Sequence, residues 1–140
     1  MRVLVDTNVV LDVLLERHPF ADAAAQVFAW VEASRIEGFL CATTLTTVDY
    51  LLGQALPKRK ARAALHQLLN LFGIAPVNRP VLEQALTSDI TDYEDAVLEQ
   101  SARLVSADVI TTRNLKDFAK SSVPAMDPPE LLAILQTMES

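Results

Sequence analysis

A chain of 140 residues has room for a sizeable core in one domain, and its 51% hydrophobic and 21% charged residues set it apart from disordered sequences. Twelve Lys and Arg against eighteen Asp and Glu give a formal charge of −6, which argues against a protein that grips nucleic acid through overall positive potential, while leaving nucleic acid open as a substrate. Cys41 is the single cysteine, so no intramolecular disulfide is expected; Asp6 breaks the first apolar run too early for a signal peptide, and acids such as Asp12, Glu16 and Glu32 interrupt the long apolar segments, so the expectation is a cytoplasmic protein with no membrane span.

The chain begins with an apolar strand, R-V-L-V at 2–5, that ends on the polar trio Asp6, Thr7 and Asn8. Helical spacing runs over 9–17 and 20–37, G-F-L-C-A at 38–42 reads as a second strand, and helical spacing returns over 44–55 and 58–72. G-I-A-P-V at 73–77 is the third strand, helices are predicted over 80–86 and 93–105, and A-D-V-I-T at 107–111 is the fourth strand. T-T-R-N-L-K-D-F reads as a turn and short helix with Asn114 at its N-cap, and a last helix over 129–138 follows the short V-P-A-M run. Strands alternating with helices imply a parallel sheet, and the continuous apolar character of R-V-L-V and D-V-I implies cover on both faces. The three Gly are scattered and no linker is visible, so residues 1–140 are read as a single domain.

In open parallel sheets, functional groups gather beyond the carboxyl ends of the strands. Asp6 ends the first strand, and Thr112, Asn114 and Asp117 follow the fourth, so two polar clusters are expected at one edge. The segment T-D-Y-E-D-A-V-L-E-Q at 91–100 adds four acids, of which Asp92, Asp95 and Glu99 share a helical face while Glu94 points elsewhere. A capping box from Thr91 to Glu94 accounts for part of this pattern. It does not account for Asp95, which precedes Ala96, Val97 and Leu98 and falls near the buried side. Like charges at helical spacing cost free energy unless a cation joins them, and a divalent ion would reverse that cost. Mg²⁺ and Mn²⁺ take hard oxygen ligands, hold phosphates and activate bound water, so the pattern points to phosphodiester chemistry.

Other residues are weighed against the same chemistry. Asp49 lies among Val48, Leu51 and Leu52, either on a helix flank facing water or pointing into a polar site. His18 and His66 lack a partnered nucleophile and read as surface residues, one cysteine excludes a Cys/His zinc cluster, and no Gly-rich phosphate loop exists. The basic run P-K-R-K-A-R at 57–62 reads as a solvated helix face; Arg113, Lys116 and Lys120 lie nearer the acids, and Arg113 is the better candidate for a phosphate contact. Trp30 and Phe28 are candidates for packing or an interface, with core burial expected for Phe28.

The three segments M-R-V-L-V-D-T-N-V-V-L-D-V, D-Y-E-D-A-V and V-I-T-T-R-N-L-K-D-F, in this order and spacing, resemble the PIN domain, the nuclease fold shared by VapC-type toxins of toxin–antitoxin pairs. The resemblance covers essentially the whole chain and implies an α/β protein, a three-layer α/β/α sandwich with a mainly parallel central sheet. It further implies a metal-dependent endoribonuclease using Mg²⁺ or Mn²⁺, with RNA as substrate, an antitoxin protein as partner and a homodimeric state. It gives Asp6, Asp95, Asp92 and Asn114 as metal ligands, with Asp117 and Asp49 as further acids of the catalytic set. Thr7 and Thr112 match hydroxyl residues that steady the carboxylates, and with Arg113 and Lys116 they form the substrate side. Two positions depart from the family pattern: Asp49 stands where a Glu is common, and Asn114 where an Asp is common. They favour the other reading, a PIN-like protein with weak or no nuclease activity that binds RNA or a protein. Receiver-type phosphoacceptor and haloacid-dehalogenase readings fail, the first for want of a paired acid at the first strand and a Lys in V-P-A-M, the second because Asn8 replaces the required acid.

Overall fold

Val3, Leu4 and Val5 are completely buried in strand β1 (Arg2–Val5), as a strand covered on both faces requires. In the computed structural model, which describes residues 1–139, β1 is the centre of a five-stranded sheet with β2 (Glu37–Cys41), β3 (Gly73–Ala75), β4 (Val109–Thr111) and β5 (Ala125–Met126). The order is β3-β2-β1-β4-β5 and every pairing is parallel. The helices are α1 (Thr7–Leu14), α2 (Ala21–Glu32), α3 (Ala42–Ala55), α4 (Lys58–Leu71), α5 (Arg79–Ala85), α6 (Tyr93–Leu104) and α7 (Pro128–Glu139).

Alternation along the strands divides the core into two. Val3 and Val5 join Val9, Val27, Val48, Leu68 and Leu131 on the face covered by α1, α2, α3, α4 and α7. Leu4 and Ile110 face the other way, onto Val81, Ala96 and Val97 of α5 and α6. The result is the α/β/α sandwich expected from the sequence. Trp30 belongs to the first core, with the Arg35 guanidinium 3.8 Å above its ring. Phe28 is only half-buried, edge-on to Phe72 at 5.0 Å. On the strand side, Gly38 is required by close approach: a Cβ there would lie 2.6 Å from Val31 and 2.8 Å from Phe72.

Several boundaries differ from the periodicity for local reasons. α1 starts at Thr7, two residues early, because the Asp6 side chain accepts the Thr7 N–H and caps it. α2 stops at Glu32 rather than running to 37, because Ser34 turns into the left-handed region at φ 57° and releases Glu37 into β2. The V-P-A-M run supplies the edge strand β5. α6 is capped by Asp92 rather than Thr91: the Asp92 carboxylate accepts the Asp95 N–H, and its charge also suits the positive end of the helix.

Among the described residues, one buried side-chain polar atom is left without a partner. The Thr111 hydroxyl, at the end of β4 and fully inaccessible, makes no hydrogen bond among the described residues. Since an unpaired buried hydroxyl costs about 1–3 kcal/mol, Thr111→Val is expected to raise stability by about 1 kcal/mol, read as a higher urea midpoint at unchanged m-value.

Candidate active site

The parallel pairing of β1 with β4 places their carboxyl ends side by side, Val5 opposite Thr111, and the next residue, Asp6, donates its N–H to the Thr111 carbonyl at 3.0 Å. The two polar clusters expected at one edge therefore meet. Asp6 is only 6% exposed and is held from three directions. The Thr7 N–H donates to Oδ1 at 2.7 Å, while the Thr112 hydroxyl at 2.8 Å and the Asn8 amide at 3.2 Å donate to Oδ2. Thr112 in turn accepts the Asn114 N–H at 3.0 Å. Burial pushes the Asp6 carboxyl above its ordinary value; the Thr112 and Thr7 donors oppose this, and the charges of Glu94 and Asp117 add to it.

Asp95 stands half-buried at the start of α6, and its carboxyl is pushed up to about 7, first by burial and then by the charges of Asp6, Asp92, Asp117 and Glu94. The cleft beside it, about 560 Å³, is lined by Asp92, Asp95, Lys116, Asp117 and Lys120 among others. Electrostatically this is a knot of five carboxylates, in which, among the described residues, Asp6 and Asp95 take part in no ion pair. Glu94, expected to point elsewhere, is exposed, yet its charge acts on both Asp6 and Asp95.

The donor set is entirely oxygen and strongly anionic, which suits a hard divalent ion. Among the described residues, no three His, Cys, Asp or Glu side chains converge tightly enough to enclose one as they stand. A Mg²⁺-sized ion, which keeps much of its water and commonly uses one or two carboxylates, suits a donor set of this chemistry.

Other expected site residues are placed differently. Arg113 does not face the acids: its guanidinium grips Asp12 with contacts of 2.6 and 3.1 Å and stacks 3.9 Å over the Phe20 ring. Asp12 is fully buried in α1 and takes a second cation, Arg17, at 2.9 Å, so two guanidinium groups are committed to neutralising it. Asp49 is the flanking helix residue of its two alternatives, paired with Arg62 of α4 at 3.2 Å. The Thr7 hydroxyl hydrogen-bonds Thr44 at 3.1 Å, so Thr7 steadies Asp6 through its backbone and not its side chain. Asn114 occupies the N-cap position of a 3₁₀ turn (Leu115–Phe118) without a side-chain cap bond, and Asp117 lies within that turn. Glu99 shares the α6 face with Asp95 in sequence but is enclosed, 3% exposed, by Ser88, Gln100 and Ser122.

Two residues that organise the site, Asn8 and Asp12, have no site role expected from the sequence. Asn8 bridges both clusters, donating to Asp6 and Thr112 while its Oδ1 accepts the Arg113 N–H at 3.2 Å. Asp12 anchors Arg113 and hence the turn after β4. The available signal was a lone acid inside V-V-L-D-V-L-L, which cannot be buried without a cation.

The sequence model of the PIN domain matches residues 2–116. The chain belongs to the PIN domain family. Ribonuclease VapC1 of Aquifex aeolicus (strain VF5) is 26% identical over 106 residues, covering 76% of this chain and 73% of that protein. The PIN fold is similar to that in VapBC2 from Rickettsia felis bound to a DNA fragment from their promoter, with a TM-score of 0.73 at 15% identity over 91% of this chain and 98% of the other. A toxin–antitoxin complex from Klebsiella pneumoniae gives 0.69 at 24% identity, over 90% and 97%. In this PIN domain Asp6, just past β1, and the turn after β4 meet at one edge of the sheet, and the charge of Asp6 reaches Asp95 of α6.

Glu99 supports that edge from behind. Burial alone would raise its carboxyl, but donors from Ser88, the Ser122 backbone, Gln100 and the Ser122 hydroxyl outweigh it and lower the value below the usual 4.5. A carboxyl lowered on folding adds stability that is present above its unfolded value and lost as pH falls through the folded one. Glu99→Gln, which sets an amide N–H₂ against donors, is expected to cost about 1–3 kcal/mol at pH 7, with the difference from wild type shrinking below pH 4 in urea titrations.

Proposed function

We propose that this protein is a divalent-metal-dependent endoribonuclease and the toxin component of a toxin–antitoxin pair. The observation that carries the reading is the buried Asp6 at the carboxyl end of the central strand, sharing one uncompensated negative field with Asp95, Asp92 and Asp117. Membership of the PIN domain family, the likeness to a protein named as a VapC1 ribonuclease and the fold shared with subunits of VapBC complexes support it. The same comparisons support an antitoxin as partner, and the continuous sheet supports reading residues 1–140 as one domain.

Within this reading the chain's own residues do three things. Thr7 N–H, Thr112 and Asn8 hold the Asp6 carboxylate in one orientation. Asp95 and Asp92 bring further oxygens from the start of α6. Lys116 and Lys120 on the cleft wall offer cations to phosphate oxygens of an RNA strand, replacing Arg113 in that part. A bound Mg²⁺ or Mn²⁺ would supply a water of lowered pKa and stabilise charge developing on the phosphoryl oxygens.

The test is incubation of purified protein with end-labelled single-stranded RNA in Mg²⁺, in Mn²⁺ and in chelator. Internal cleavage that needs the ion is expected; cleavage that continues in chelator overturns the metal-dependent mechanism, and no cleavage of any RNA favours the binding-module reading.

A further inference from the structure

Behind the carboxylate cleft lies a second cavity of about 400 Å³ whose nine lining residues are all polar or charged. It is built by the end of α5 and the loop after it, the middle of α6, and the segment after the 3₁₀ turn. Asp89 and Lys120 line both this cavity and the cleft, so the two adjoin across those residues. The wall is fixed from within: Glu99 accepts the Ser88 hydroxyl at 2.7 Å, the Gln100 amide at 3.0 Å, and the Ser122 N–H and hydroxyl at 2.8 and 3.1 Å. That buried carboxylate is saturated, and it ties three separate segments into one rigid polar surface.

The rim is different. Among the described residues, the side chains of Gln84, Asp89 and Lys120 make no hydrogen bond or ion pair, and Arg103 makes a single long one, to Gln100 at 3.4 Å. A rigid polar wall ringed by exposed donors and acceptors that make no protein contact is complementary to a ligand that is itself polar along its edge and anionic at one end. A nucleotide has that character: its base presents donors and acceptors, and its phosphate seeks Lys or Arg. No aromatic side chain lines the cavity, so a base there would be held by its edge and not by stacking.

We propose that this cavity is a subsite for a nucleotide flanking the scissile bond of single-stranded RNA, with Lys120 on the intervening phosphate, Arg103 at the far side, and Gln84 and Asp89 on the base edge. The inference rests on the nuclease reading of the adjoining cleft. It gives the protein a means of preferring one flanking base, which phosphate contacts alone do not provide.

The test uses the full chain carrying Asp6→Asn, in Mg²⁺, so that RNA is retained. Fluorescence anisotropy with a labelled single-stranded octanucleotide is expected to show three- to tenfold weaker binding on adding Lys120→Ala or Arg103→Ala, with the salt slope lowered by about one for each. Arg59→Ala, on the exposed α4 face, serves as the control for loss of charge alone. Amide resonances of Ser88, Arg103 and Ser122 are expected to shift on addition of a tetranucleotide. Unshifted amides with the tetranucleotide, or equal weakening by Arg59→Ala, overturn the subsite. Wild-type cleavage with a silent cavity removes the subsite and keeps the nuclease; filling of the cavity without cleavage by wild type keeps nucleotide binding in the cavity and removes both the nuclease and the cavity's place beside a scissile bond.

Discussion

Asp6→Asn is expected to abolish RNA cleavage while leaving the fold intact. The substitution keeps the side chain's shape and the acceptor for the Thr7 N–H, and it removes a buried charge whose field reaches Asp95. Metal-assisted stabilisation of a phosphoryl transition state amounts to several kcal/mol, so losing a ligand lowers the rate by roughly two orders of magnitude or more. Stability should respond quite differently. In chelator the Asp6 carboxylate is buried beside other acids, and removing its charge offsets the weakened contact with Asn8, so the variant should unfold within about 1 kcal/mol of wild type. Added Mg²⁺ should raise the melting temperature of wild type and not of the variant, because only a state that binds the ion gains from it. Cleavage retained by the variant, or equal Mg²⁺ stabilisation of both proteins, would remove Asp6 from the metal site.

The largest stability effect is expected at a residue outside the cleft. Asp12→Ala removes a fully buried carboxylate that joins Arg17 and Arg113, leaving two guanidinium groups without their anion and a void in α1. Removing one partner of a buried ion pair costs about 3–5 kcal/mol; here the lower end applies, since both arginines retain some exposure and can rehydrate. A fall in melting temperature on the order of 10 °C follows for a chain of this size. The loss should also reach the site. Arg113 carries the turn whose backbone meets Asn8, so loosening it disturbs the Asn8 and Thr112 contacts to Asp6. If Asp12→Ala melts like wild type, the cluster contributes nothing to stability.

Arg113 and Asp49 show where reading in one dimension stops. Arg113 follows Thr112 directly, and its proximity to the acids in sequence made a phosphate contact reasonable. Its actual partner lies 101 positions away. That pairing exists because β1 and β4 are neighbours and α1 leaves β1 at the same edge, which brings Asp12 beneath the turn. Asp49 had two consistent placements on its helix, and the choice was made by α4 packing alongside α3 with Arg62 opposite. Boundaries failed for a more local reason: Ser34 ends α2 through a left-handed backbone, a conformation that apolar spacing does not record.

What the sequence determined by itself is the alternation of strands and helices and the meeting of Asp6 with the Thr112 turn at one edge. Apolar period and the position of a carboxylate at the end of a buried strand are local properties, and parallel topology follows from them. Tertiary structure alone decided which charges neutralise one another and which remain uncompensated. It spent Arg113 and Arg17 on Asp12, placed Arg62 against Asp49, drew Glu94 into the field around Asp95, and closed a polar cavity around Glu99. Coulomb energies and hydrogen bonds depend on distance in space and on exclusion of water, and neither is fixed until the sheet has chosen its neighbours.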